Sequence, residues 1–260
     1  MTAVVNDTTG TLMSCAHKNR QCRVGVIVGT GTNACYMELR EHVETVPMED
    51  FDAPRMLVNT EWGAFGDNGV LEFVRTHFDE TVDKNSLNAG KQLFEKMISG
   101  MYMAELTRVV IAFLTAQGLL FGGVATEKLL QQNVIDTSFV SMVESDTKGE
   151  YVKTRDALCK MDITNPTDED CENVRLVCTR VSTRAAFLVS AAIATILNKI
   201  KRPHTTVGVD GSVYRYHPHF HNLMEHKISE LVHPEYKVSV VSCLIIFVRE
   251  LIVLLMVLLI

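Results

Sequence analysis

Apolar residues recur at three- and four-residue steps over residues 91–117, as at Phe94, Met97 and Met101. This spacing predicts one helix across the whole segment, and Gly118 is a natural residue to end it. The pattern therefore places a long helix near the middle of the chain.

A second helical pattern opens at Thr167, where Asp170 three residues later fits a helix-start cap. The predicted helix runs to about Lys201, and its apolar surface near residues 185–197 indicates burial on most sides. Shorter helices are expected near residues 126–132, 138–146, 150–160 and 218–231.

Strand patterns alternate with these helices. Residues 24–28 and 33–39 form two β-rich runs around a short turn, which predicts a hairpin. The segment before them is expected to be a strand and then a turn or short helix. Residues 40–58 read as an acidic loop that ends in a strand end at 57–59. Further strands are expected over 204–210 and 236–241, so the sequence predicts an α/β fold.

Two short stretches near the start carry candidate chemistry. Asp7 ends an apolar run, and a carboxylate at the mouth of a strand can take a proton from an alcohol. Gly29-Thr30-Gly31 lies between two apolar runs, and such a turn lets backbone N–H groups approach phosphate oxygens. Together the two stretches indicate phosphoryl transfer to an alcohol.

The residues alone leave other interpretations open. No Gly-Lys-Ser/Thr follows Gly31, and the third glycine of a dinucleotide-binding motif is absent. The turn could therefore be a plain hairpin turn, and Asp7 could be a helix N-cap.

Composition and charge exclude some classes of function. The net charge of −6 offers no basic field for nucleic acid. Seven scattered cysteines form no Cys-x-x-Cys pair, which favours neither a zinc ribbon nor a disulfide framework and suits a reducing, cytosolic setting. The 260 residues allow one large domain or two small ones.

Three histidines at alternate positions, His217, His219 and His221, raise the question of a metal site. Alternate ligands suit a strand, whereas this segment is predicted to be a loop that enters a helix. We therefore expect no metal ion there.

Five segments match one family in order. They are residues 5–11, 26–38, 59–67, 90–102 and 206–214. Over residues 1–243 the chain resembles the large (C-terminal) lobe of one catalytic half of an animal-type hexokinase. The resemblance implies an actin-like ATPase (ribonuclease H-like) fold, incomplete because the family's small lobe would precede Thr2 and a nucleotide loop would follow Ser242.

The resemblance also implies roles for individual residues. Asp7 matches the general base, ATP would be the phosphoryl donor with Mg²⁺ carried on its phosphates, and glucose or another hexose would be the acceptor. The residues that match the hexose contacts are Asn6, Asn33, Glu61 and Glu95. The residues that match nucleotide contacts are Gly29, Thr30, Gly31, Gly100, Met101, Thr137 and Ser141, and Asp210-Gly211 resembles a second strand turn on the adenosine or phosphate side. For 137–141 a capped helix start is the alternative.

The last segment, residues 244–260, departs from the family. Fifteen of its seventeen residues are apolar, with Arg249 and Glu250 between them. Three interpretations compete: a membrane anchor, an additional buried element, and translated non-coding sequence, which we favour because the break falls inside a motif. We expect little hexose phosphorylation by this chain alone. The alternatives are a non-catalytic sugar-binding or regulatory fragment and a membrane-tethered remnant.

Overall fold

The structure, a computed structural model, describes residues 5–44 and 53–243. The expectations for residues 1–4, for positions 45–52 of the loop predicted over 40–58, and for the segment 244–260 fall outside these residues. In the described part, five strands form one mixed sheet in the order β3-β2-β1-β4-β5. The strands are β1 (Cys22–Val28), β2 (Thr32–Leu39), β3 (Arg55–Asn59), β4 (His204–Asp210) and β5 (Lys237–Ser242).

The pairing of the strands brings two turns to one edge of the sheet. β1 and β2 form the predicted antiparallel hairpin, with Val28 opposite Thr32. β1 also pairs with β4 in parallel, with Ile27 opposite Asp210. Because parallel neighbours end at the same edge of a sheet, Gly29 and Gly211 follow their strands side by side.

The helices cover the rest of the described chain. They are α1 (Asp7–Lys18), α2 (His77–Lys84), α3 (Leu93–Ile98), α4 (Gly100–Ala116), α5 (Glu127–Leu130), α6 (Ser138–Glu144), α7 (Val152–Cys159), α8 (Asp168–Ile200), α9 (Ser212–Tyr216) and α10 (Phe220–Leu231). Short 3-10 helices lie at Arg40–His42, Trp62–Ala64 and Phe121–Gly123. Helices and strands alternate, which confirms the predicted α/β class.

Helix α8 is the central helix of the core. The predicted cap is present: the Thr167 hydroxyl accepts the N–H of Asp170, and the Asp170 carboxylate accepts the N–H of Thr167. Among the described residues, α8 alone has the length and apolar composition to cross a membrane, but 56% of its most apolar window is buried inside the protein. Since core helices pass the same test, this is weak support for a membrane span.

The predicted helix over residues 91–117 is wrong in one respect, because it is two helices. Ser99 has extended backbone dihedrals and separates α3 from α4. The N–H of Gly100 donates to the carbonyl oxygen of Gly29 at 2.8 Å. A Cβ at position 100 would lie 2.7 Å from Val213 Cγ2 and 3.1 Å from the carbonyl oxygen of Gly29, so the break places a glycine where α9 and the β1–β2 turn pack.

Other boundaries also differ from the expectations. Asp7 does not end a strand and is not a helix N-cap; it is the first residue of α1, and Asn6 is the N-cap. The segment 40–58, expected as a loop, contains Arg40–His42 and most of β3. Helices α2 and α9 were not predicted, because each is short and lacks a long apolar period.

A partly buried ion pair joins α2 to α8 and makes stability depend on pH. Arg184 donates to both oxygens of Asp79, at 2.7 and 2.6 Å. Burial alone would raise the pKa of Asp79, but Arg184 and the bonds from Thr76 hold that pKa below its ordinary value. Because the folded pKa is lowered, this stabilisation is present above the unfolded pKa of about 3.9 and is lost as the pH falls further.

We expect Asp79→Asn to lower the free energy of unfolding at neutral pH by about 2 kcal/mol, less than for a fully buried pair because Arg184 is partly exposed. The loss should shrink below about pH 4. Urea unfolding between pH 3 and 7 measures this. The exposed pair Lys128–Asp162 supplies the control, because Asp162→Asn is expected to change stability by less than about 1 kcal/mol. Equal effects of the two variants would contradict the prediction.

Candidate active site

A cleft of about 550 Å³ opens at the edge of the sheet where β1 and β4 end. We call it the Asp7 cleft. Five separate segments line it: the start of α1, the β1–β2 turn, Glu61, the start of α3, and the turn after β4 with α9. The lining residues are Asn6, Asp7, Ile27, Gly29, Thr30, Gly31, Thr32, Asn33, Glu61, Gln92, Glu95, Asp210, Gly211, Ser212, Arg215 and Tyr216.

The start of α1 sets the positions of Asn6 and Asp7. The Asn6 side-chain oxygen accepts the N–H of Thr8 at 3.0 Å and its hydroxyl at 2.5 Å. This is an N-cap, for which asparagine is among the preferred residues. Asp7 follows as an exposed residue in the first turn, so its carboxylate is available to a ligand in the cleft.

The β1–β2 turn faces the carboxylate of Glu95. Glu95 Oε2 accepts the N–H of Thr32 at 3.0 Å, and a Cβ at Gly31 would lie 2.8 Å from that oxygen. The Thr32 hydroxyl in turn accepts the indole N–H of Trp62 at 3.2 Å. These contacts connect α3, the turn and Trp62 at the base of the cleft.

Asn33 and Glu61 lie together on the other side of the turn. The Asn33 amide donates to Glu61 Oε1 at 3.1 Å and to Asn59 Oδ1 at 2.8 Å. Asn59 donates to the same Glu61 oxygen at 2.6 Å. The Glu61 side chain is exposed, so carboxylate and amide groups here can pair with ligand hydroxyls.

The predicted nucleotide residues divide between two places. Gly29, Thr30 and Gly31 line the Asp7 cleft. Gly100 lies next to them, and Thr137 Cγ2 would be 3.4 Å from a Cβ at position 100. Met101 and Thr137 line a second cavity of about 530 Å³ between α4 and the segment before α6.

Ser141 lies half-buried in α6, one turn after Thr137, and lines neither cavity. The alternative of a threonine-capped helix start is also not what the structure has. Thr137 precedes α6 without a side-chain cap bond, and Asp136 accepts the N–H of Ser138 at 2.8 Å instead. The predicted nucleotide residues therefore extend from the Asp7 cleft, through Gly100, to the second cavity at Met101 and Thr137.

Sequence reasoning missed several residues that line the cleft. Gln92, Ser212, Arg215 and Tyr216 were not singled out, and Asp210 was noted only as part of a turn. The signal for Gln92 was its place directly before the apolar period of α3. Arg215 forms an ion pair with Asp210, which ties α9 to the end of β4.

The three histidines do not form a cluster of ligands. Buried His217 bonds through Nε2 to Glu144 Oε1 at 3.2 Å, and its Nδ1 accepts the N–H of His219. His221 Nδ1 lies 2.5 Å from the Tyr214 hydroxyl. Within the described residues, no three His, Cys, Asp or Glu side chains are arranged to hold a metal ion.

The cleft combines acidic side chains with closely packed turns. Of the described residues that line it, Asp7, Glu61, Glu95 and Asp210 are acidic, and the single cation, Arg215, is paired with Asp210. Such a set suits a neutral ligand with several hydroxyl groups, since carboxylates accept hydroxyl hydrogen bonds strongly. Fold and site together fit the sugar-kinase type of protein that the sequence motifs resemble.

Comparison with known proteins assigns the family. The family model described as hexokinase matches residues 23–244. Hexokinase-1 of Rattus norvegicus is 48% identical over 236 residues, which cover 88% of this chain and 25% of that protein. Hexokinase-2 of Homo sapiens is 46% identical over the same length, with the same two coverages. The chain belongs to the hexokinase family.

Solved structures agree with this assignment. Hexokinase from Schistosoma mansoni, determined in complex with glucose, superposes with a TM-score of 0.88 at 43% identity and covers 92% of this chain and 54% of that one. A second hexokinase crystal structure gives a TM-score of 0.75 at 28% identity, over 93% of this chain and 52% of that one. The actin-like sugar-kinase fold is thereby confirmed. The chain spans about a quarter of the length of the curated relatives it matches.

Proposed function

We propose that this chain supplies the hexose-binding face and the general base of an ATP-dependent hexose kinase. The observation that carries the proposal is one cleft shared by Asp7, Asn33, Glu61 and Glu95. These residues come from distant parts of the sequence, and all of them offer groups that pair with hydroxyls. Membership of the hexokinase family supports the same conclusion.

Asp7 is assigned the role of general base in the phosphorylation of the hexose. Phosphoryl transfer needs an acceptor hydroxyl whose proton can leave, and a carboxylate within hydrogen-bond reach takes that proton. The other hydroxyl groups of the hexose are assigned to four side chains, which hold the sugar ring in one orientation beside Asp7. They are Asn6, Asn33, Glu61 and Glu95. Glucose is the hexose to test first, because a related hexokinase was solved with it.

The nucleotide end is assigned to the turns after β1 and β4. A Cβ at Gly29 would lie 3.4 Å from Gly211 Cα and from the N of Ser212, so the two turns nearly touch. Glycines at such a place allow backbone N–H groups to approach phosphate oxygens, which fits the ATP phosphates. Mg²⁺ on the nucleotide would supply charge neutralisation during transfer.

Hexose binding without turnover is the second candidate function. It is favoured by the charge of the cleft, since its one cation among the described lining residues is already paired with Asp210. Phosphoryl transfer depends on positive charge near the transferred group. Glucose calorimetry with and without ATP, next to a turnover assay, distinguishes a kinase from a sugar-binding protein.

The first test is glucose binding by Glu95→Gln. The chain contains a single tryptophan, Trp62. Its indole donates a hydrogen bond to the Thr32 hydroxyl, and the Thr32 N–H donates to Glu95, so Trp62 fluorescence reports on the cleft. Loss of one charged acceptor costs about 1.5–3 kcal/mol, so we expect affinity to fall roughly ten- to a hundredfold.

The matched control is Glu127→Gln, an exposed glutamate on α5 outside the cleft. It is expected to bind glucose as the unchanged chain does. A Kd for Glu95→Gln within twofold of the original would contradict the assignment of Glu95, and a chain that binds no glucose at all would overturn the proposed function.

A further inference from the structure

The carboxylate of Asp67 joins the loop after Trp62 to the start of α3. Its Oδ1 accepts the N–H of Leu93 at 3.0 Å, and its Oδ2 accepts the N–H of Gln92 at 3.1 Å. Gln92, the N-cap residue, makes no side-chain cap bond itself. Hydrogen bonds to an ionised acceptor are the stronger kind, so Asp67 is the cap that fixes where α3 begins.

The backbone on both sides of this bridge is held in the left-handed region. Gln92 has φ 57° and Glu61 has φ 47°. Residues other than glycine are strained there and need support from their neighbours. Gly63 packs against the first turn of α3, because a Cβ at position 63 would overlap Gln92 Oε1 and lie 3.3 Å from Glu95 Cβ. The segment 61–67 and the first turn of α3 thus form one tightly packed unit.

This unit carries both carboxylates that the proposed function assigns to the hexose. Glu61 begins the segment that Asp67 ends, and Glu95 follows Gln92 by three residues. Asp67 itself is not among the described residues that line the cleft. Any effect of Asp67 on a bound sugar must therefore pass through the residues that it holds.

We propose that Asp67 is a positioning residue for hexose binding. By fixing the first turn of α3, it keeps the Glu95 carboxylate on the Thr32 N–H and beside the Gly31 turn. The inference rests on the proposed function and adds a residue that acts through Glu95 without touching the sugar.

The test is glucose binding by Asp67→Asn, which keeps the side-chain shape but loses the charge that strengthens both cap bonds. We expect the Kd of the 260-residue chain for glucose, followed by Trp62 fluorescence, to rise about five- to tenfold. Binding of a fluorescent ATP analogue is expected to weaken by less than glucose binding does, because Asp67 bonds to the start of α3, which carries Glu95 and none of the residues assigned to the nucleotide. Asp156→Asn, an exposed carboxylate on α7, is the matched control and should change neither.

A double-variant cycle separates positioning from a general loss of structure. If Asp67 acts through Glu95, adding Asp67→Asn to Glu95→Gln raises Kd by less than about twofold more, whereas independent effects multiply. Unchanged glucose affinity in Asp67→Asn, or multiplying effects, would overturn the inference. Should Asp67→Asn not fold, Asp67→Ser retains one capping oxygen and must also weaken glucose binding. An original chain that binds no glucose would instead overturn the proposed function, and the role of Asp67 with it.

Discussion

Replacing Asp7 by asparagine is expected to lower the small hexose phosphorylation of this chain by about 10²–10⁴-fold, to background, while leaving hexose affinity within roughly threefold. Asparagine has the same shape and can still hydrogen-bond a hydroxyl, but it cannot accept the proton. Asp7 is exposed at the start of α1 and shares its cleft with Asn33, Glu61 and Glu95. Those three would continue to hold the sugar, so the loss should fall on turnover.

Transfer of labelled phosphate from ATP to glucose measures turnover with the sensitivity that a loss of this size requires. Trp62 fluorescence measures affinity on the same preparations, and Asp156→Asn again serves as the exposed control. Equal turnover by Asp7→Asn and the original chain would show that Asp7 is not the general base. A variant that lost affinity and turnover in proportion would make Asp7 a binding residue.

Local patterns predicted much of the fold. The β1–β2 hairpin, strands β4 and β5, and the capped helix α8 lie where apolar periods and turn residues placed them. These elements succeed because their signals are local: a cap at Thr167, a glycine turn at 29–31, and strand runs bounded by polar residues. The family resemblance, confirmed by the match over 23–244, supplied the actin-like type of fold, which the local patterns alone did not specify.

The sequence predicted which residues belong to the candidate site, but not how the fold brings them together. The motifs that resemble the family predicted Asp7, Asn33, Glu61 and Glu95, and the structure brings these side chains to one cleft. Their roles stay predictions. The reason they meet is the parallel pairing of β1 with β4 and the packing of α3 under the β1–β2 turn, which are long-range contacts.

Features that depend on such contacts could not be predicted from the sequence. The break at Ser99 interrupts an unbroken helical period, because Gly100 bonds to Gly29, seventy-one positions away in the chain. The left-handed backbone of Glu61 and Gln92 goes against the intrinsic preference of both residue types, and only their neighbours stabilise it.

Alanine at position 25 is expected to lower the free energy of unfolding by about 3 kcal/mol and to weaken hexose binding as well. A Cβ there would lie 2.5 Å from the carbonyl oxygen of Thr8, 2.8 Å from Leu12 Cβ and 2.9 Å from Leu12 N. Gly25 sits in the central strand, paired with Cys35 on one side and Gly208 on the other. Because the crowded atoms are mainly backbone, no rotation of a side chain relieves the overlap.

The same crowding links stability to the site, because the helix that packs on Gly25 begins with Asn6 and Asp7. A shift of α1 away from the sheet would move both residues relative to Glu95. Urea unfolding and Trp62 fluorescence measure the two effects together. Gly29→Ala is the control for stability, since its Cβ would meet Gly211 Cα at an ordinary 3.4 Å. A Gly25→Ala chain within about 0.5 kcal/mol of the original would show that α1 moves at little cost. The contact at Gly25 would then not be what holds Asp7 in the cleft.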